Sequence, residues 1–163
     1  MSEMLVAWLK GTTIAHLMVE QTWLWPLCET LHFVGLALLI GAAGLFDLRL
    51  LGFLKAIPLA AAMQMRVWAA VGLIINAVTG VLFFVGAPGQ YIDNPAFWGK
   101  LLFLLVAMVN IAFFETTQGA RILKMTAQAD TPASFKVAGA VSLLSWFAVL
   151  YFGRMLPFIG NAF

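Results

Sequence analysis

Sorted into apolar and polar positions, the chain falls into long apolar runs separated by short polar connections. Four runs, at about 25–46, 67–85, 96–114 and 137–157, approach the ~20 mostly apolar residues that about 30 Å of hydrocarbon requires. No charge interrupts the second run between Arg66 and Asp93, the third is bracketed by Lys100 and Glu115, and the fourth carries Arg154 near its end. Strand-like alternation is absent, and backbone amides cannot stay unpaired in lipid, so the runs are predicted as helices. Pro26 suits the first turn of a helix, where its missing N–H costs nothing. Pro88 and Pro95 bracket the turn "APGQYIDNPAF", which makes the second and third spans an antiparallel pair. The expected fold is an all-α membrane protein, with four transmembrane helices in an antiparallel bundle forming one domain over 1–163.

Residues 3–20 follow a different pattern. Leu5, Trp8, Leu9, Ala15 and Val19 recur near helical spacing, but Lys10, Thr12, Thr13 and Glu20 interrupt them and Gly11 weakens the middle. That pattern makes a poor span and a reasonable interfacial helix lying on the bilayer surface.

Composition agrees with the spans. Of 163 residues, 63 % are apolar and 10 % charged, with a mean hydropathy of +0.99, whereas about a quarter of residues are charged in soluble domains. A lipid bilayer is the expected environment, and a net charge of +2 without a basic run offers nothing to nucleic acid. The single cysteine, Cys28, excludes an internal disulfide framework. "MSEMLVAWLKGTT" lacks the basic, apolar and small-residue order of a cleaved signal peptide.

Basic residues set the expected orientation. Arg49, Lys55 and Arg66 lie between the first two spans and Arg121, Lys124 and Lys136 between the last two, while the connection from Ala87 to Pro95 has no Lys or Arg. The positive-inside rule then puts both termini and the Pro88 turn on the outer side. Trp23, Trp25, Tyr91 and Trp98 fall in the outer interfacial belt and Trp68 in the inner one.

Within "WPLCETLHFVG", Glu29 and His32 stand three apart and share a helix face. His32 lies six residues past Pro26, about 9 Å along a helix and so in the outer third of the bilayer. The outer ends of the later spans add Lys100, Arg154 and Tyr151, so one outer pocket of acid, imidazole, two cations and phenol is expected. Ionisable groups at membrane depth are costly and mark functional sites by default. One account makes His32 the ligand of a b-type haem iron, tuned by Glu29, with Lys100 and Arg154 on the propionates; another makes the same groups a quinone, proton or small-solute site. A third is structural, with Glu29 paired to Lys100 or Arg154 and His32 bonded to a neighbouring helix.

His16 and His32 are the chain's two histidines. Histidines on two separate spans therefore cannot sandwich a haem within one chain. His16 reaches His32 only if the chain bends at "EQTWLWP", since on one straight helix the two lie about 24 Å apart. The remaining options are methionine or no sixth ligand, or ligation across a subunit interface. Elsewhere, Asn76, Thr79 and Asn110 are expected to bond between helices. Asp47 is expected to pair with Arg66 or Arg121, and Glu115 with Arg121. Ala37, Gly41 and Gly44 with Gly72 and Gly80 are expected to make close-packing surfaces.

The segments "WPLCETLHFVGLALLIG", "FDLRLLGFL" and "NPAFWGK", with Asn110-x4-Glu115, resemble a family of small bacterial multi-span integral-membrane proteins of unknown function. The resemblance covers most of the chain from Trp23 to Arg154. It implies a bacterial inner membrane protein, supports four spans and adds weight to Glu29 and His32. In similar sequences the position of Glu115 is often histidine, so this chain departs there and lacks that ligand at the cytoplasmic side.

The functional expectation is a small electron-transfer subunit binding haem b or quinone through His32, with Glu29, His16, Lys100, Arg154 and Tyr151 as candidate partners. The alternative is a non-catalytic scaffold or assembly subunit of a larger complex. A transporter component is less favoured, because charges cluster near the faces and no broken-helix pair marks a midplane site. A homo-oligomer or larger membrane complex is the expected assembly.

Overall fold

The computed structural model describes residues 2–159 apart from 123 and 127. Among them the chain is all helical, and four helices are long and apolar enough to cross a bilayer. Two short helices come first, α1 (Ser2–Lys10) and α2 (Thr13–Glu20). The spans follow as α3 (Leu24–Leu50), α4 (Leu59–Gly86), α5 (Pro95–Thr117) and α7 (Ala133–Met155), with the single turn α6 (Gly119–Ile122) before the last.

The expected helix over 3–20 is two helices. Thr12 ends one and caps the next, its hydroxyl oxygen accepting from the Ala15 N–H at 3.3 Å, as Ser and Thr do at N-caps. Ala15 and Met18 are buried, and Met18 packs where Gly86 of α4 leaves room.

The spans also outrun their apolar cores. At 27 residues α3 is about 40 Å long, beyond the hydrocarbon thickness of about 30 Å. α4 starts after Pro58, not at 67, because Leu59, Ala62 and Met63 bury against Phe46, Leu50, Phe114, Ile122 and Phe135 at the basic end of the bundle. A second apolar cluster of Leu39, Ala43, Ala107, Trp146 and Val149 fills the middle.

Neighbouring spans pair as α3 with α4 and α5 with α7, and α3 also packs on α7. The α3–α4 seam is set by Gly35 and Gly72. A Cβ at Gly72 would stand 2.5 Å from the Leu39 nitrogen, so glycine alone admits this backbone approach. Gly41 and Gly44, expected to pack, have nothing within 4 Å of an added Cβ. α3 ends in a Schellman turn: Gly52, at φ +93°, follows the cap, and the Phe53 N–H bonds the Leu48 carbonyl at 3.0 Å. That turn accounts for the Leu-Gly of "FDLRLLG".

Candidate functional site

His32 sits one helical turn toward the Pro88 end from Gly35 and faces α4. Its Nδ1 lies 2.7 Å from the Thr79 hydroxyl oxygen, and that hydroxyl is also 2.7 Å from the Ile75 carbonyl. The hydroxyl has one proton, and donating it to Ile75 leaves its oxygen to accept from Nδ1–H, which puts the lone pair on Nε2. Phe83 meets the ring edge-on at 5.6 Å, and Trp25 stacks at a tilt on Phe83 at 5.1 Å. A Cβ at Gly80 would lie 4.0 Å from the imidazole Cε1. The half-buried imidazole is thus anchored through one nitrogen and walled by aromatic rings.

The other expected members of the pocket scatter. Lys100 is half-buried, lies along Gly153 of α7 with Nζ 3.8 Å from that residue's ideal Cβ position, and is close enough to act electrostatically on His32. Glu29 is exposed and accepts from the Trp25 indole N–H at 3.1 Å; it pairs with neither Lys100 nor Arg154. Its charge, after burial, is the second cause that holds the Tyr91 phenol above its ordinary pKa. Arg154 stacks over the Phe158 ring at 5.1 Å, and Tyr151 is 58 % exposed. His16 faces Glu20 at 3.7 Å on the exposed side of α2. The bend that would bring it to His32 is present in the chain, but His16 points elsewhere.

Residues 22–159 match the sequence profile of a family described as a family of unknown function, DUF6644. The chain belongs to that family. Comparisons with curated proteins and with solved structures give no match. The DUF6644 region takes in all four spans, while α1 and α2 precede it.

Three of the motifs that stand out in this DUF6644 sequence bond the fold together. In "FDLRLLG", Arg49 is fully buried and donates from Nε to the Ile57 carbonyl at 2.8 Å and from Nη2 to the Ala129 carbonyl at 3.2 Å. In "NPAF", Asn94 caps α5 by accepting from the Ala96 N–H at 2.9 Å and donates to the Leu156 carbonyl at 3.0 Å. In Asn110-x4-Glu115, Asn110 donates to the Ala138 carbonyl at 3.0 Å, and Glu115 pairs with Arg66. The last pairing corrects two expectations at once: Arg66 is spent on Glu115, so neither Arg66 with Asp47 nor Arg121 with Glu115 forms. Asp47 instead points inward toward Ser142 of α7, since α3 packs its last turns onto Gly139, where a Cβ would stand 2.9 Å from the Asp47 carbonyl.

One imidazole is present on the spans, the second histidine is turned to Glu20, and the α3–α4 seam closes at Gly35 one turn from His32. A haem at His32 would have one imidazole from this chain, with methionine, no sixth ligand or a ligand across a subunit interface as the remaining options.

Proposed function

We propose that this protein is a small subunit of the bacterial inner membrane that exchanges electrons with a lipid quinone at His32. The Pro88 turn and both termini lie on the periplasmic side. The observation that supports the reading is the anchored imidazole: Nδ1 is committed to Thr79, which leaves Nε2 to accept the hydroxyl proton of a quinol beside the Phe83 ring. The two electrons pass to a redox-cofactor-bearing partner within a larger complex.

A second reading, a scaffold, is favoured by the same bond. His32 to Thr79 ties α3 to α4, as Asn110 ties α5 to α7, and such bonds hold helix register without chemistry.

The chain's two histidines make one test sufficient for both readings. In detergent, the imidazole ¹⁵N spectrum should show the His32 Nε2 signal moving when a short-tailed quinol is added, with His16 unmoved. A His32 signal indifferent to quinol would leave the scaffold. A reduced-minus-oxidised visible band of b type, lost in His32→Ala, would replace the quinone by a haem.

A further inference from the structure

One cavity of about 200 Å3 lies toward the basic end of the bundle, away from His32 and enclosed by α3, α4, α5 and α7. Its walls are largely apolar, with Leu39, Phe46, Leu73 and Phe114 among them. Asp47 and Trp146 also line it, each only 2 % exposed. Neither Asp47 Oδ2 nor Trp146 Nε1 has a hydrogen-bond partner among the described residues. Buried polar groups are almost always paired with protein, ordered water or a ligand, so an orphaned acceptor and an orphaned donor in one cavity suit an occupant that supplies both complements.

The surroundings narrow its chemistry. Asp47 faces Ser142, and Trp146 lies one helical turn further along α7, so the acceptor and the donor enter the cavity at different heights along the bundle. A dry apolar cavity of about 150 Å3 holds benzene, so this one has room for a substituted ring. An amine would satisfy Asp47 but leave the Trp146 N–H unpaired, and a hydrocarbon chain would satisfy neither.

A route for a tail is present as well. α4 meets α5 toward the Pro88 end, where Phe84 stacks on Phe97 at 5.5 Å, and toward the basic end through Arg66 and Glu115. Between these points the two helices make no extended backbone contact. Ala70 on α4 and Met108 and Ile111 on α5 line the cavity while exposed on the lipid-facing surface.

We propose that this cavity binds the ring of a quinol-class lipid. One hydroxyl donates to Asp47 Oδ2, the opposite oxygen accepts from Trp146 Nε1–H, and the apolar tail leaves between α4 and α5. The site stands apart from His32 and does not depend on the reading given above.

Calorimetric titration of the full chain in nanodiscs, under reducing conditions and against empty nanodiscs, tests it. A His32→Asn background silences the other site, so failure of one reading is distinguishable from failure of the other. A decyl-tailed ubiquinol should bind at one per chain, Trp146→Phe should weaken it about fivefold to tenfold through loss of one donor, and Ala70→Phe should abolish it by blocking the opening. Ala70 is exposed, so that variant keeps the test valid if Trp146→Phe fails to fold. Unchanged binding in the Ala70→Phe variant, or tighter binding of decylammonium, would overturn the proposal. Equal binding of the tail-less hydroquinone would overturn the lipid as occupant.

Discussion

Arg49 serves two connections with one side chain. It spans from the end of α3 to the carbonyls of Ile57 and Ala129, with no exposed surface. A planar guanidinium can reach two carbonyls at fixed angles, and an ammonium cannot. Arg49→Lys and Arg49→Ala should therefore both destabilise the bundle, the alanine variant by about 2–4 kcal/mol, seen as an earlier midpoint in denaturant titration in detergent. A midpoint equal to the parent's would mean the two loops hold without it. At Thr79 the expected effect is smaller: Thr79→Val removes the partner of His32 Nδ1 and should cost about 1 kcal/mol, with the Nδ1 resonance of His32 shifted and that of His16 fixed. His32 is legible in the sequence because an imidazole inside an apolar run must either bond a neighbouring helix or serve a site. The Asp47 and Trp146 pair is not, since in the sequence Asp47 reads as a partner for Arg66 or Arg121 and nothing marks Trp146. Whether a buried group is orphaned depends on which neighbours packing delivers.

At the level of helices, the decisive contact is the α3–α4 seam. A Cβ on Gly72 meets backbone, not a flexible side chain, so Gly72→Ala must push two helices apart and should cost about 1–3 kcal/mol. Gly41→Ala, with nothing in reach, should change stability by no more than about 0.5 kcal/mol; thermal unfolding of both variants in one detergent compares them directly. Hydropathy marks all four spans, because long uncharged runs have few other uses. It does not mark their ends or partners, since the first turns of α4 are buried by other parts of the protein and the sequence does not rank Arg66 against Arg121 as a partner for each acid. The connections at the basic end carry a pH dependence. Asp130 takes a hydrogen bond from Lys136, and this bond with the charges of Lys136 and Lys55 holds its carboxyl below the ordinary value. A lowered folded pKa contributes stability above the unfolded value, and the contribution is lost as pH falls through the folded value. Acidification below about pH 4 should therefore lower the protection factors of the amides in the connections before α4 and α7, measured against intrinsic exchange at each pH, while the spans stay protected. Asp130→Asn should show the lowered protection already at neutral pH, and a variant as protected as the parent would remove the ion pairs from the account.

For the whole molecule, the two ends of the bundle differ in charge. Arg49, Lys55, Arg66, Arg121, Lys124 and Lys136 gather at one end, and the turn from Ala87 to Pro95 at the other has no Lys or Arg. By the positive-inside rule that asymmetry predicts which leaflet holds His32 and which holds the Asp47 cavity, and the chain carries the means to measure it. Its one cysteine, Cys28, is buried, so a membrane-impermeant maleimide should leave the parent protein unlabelled in intact cells. Gly89 is exposed in the Pro88 turn with nothing within 4 Å of an added Cβ, and Gln128 is exposed in the connection before α7. With the basic end in the cytoplasm, Gly89→Cys should label in intact cells and Gln128→Cys only after permeabilisation. The reverse pattern would turn the bundle over and place the Asp47 cavity in the periplasmic leaflet. It would leave every helix contact unchanged, because those contacts depend on packing and not on orientation.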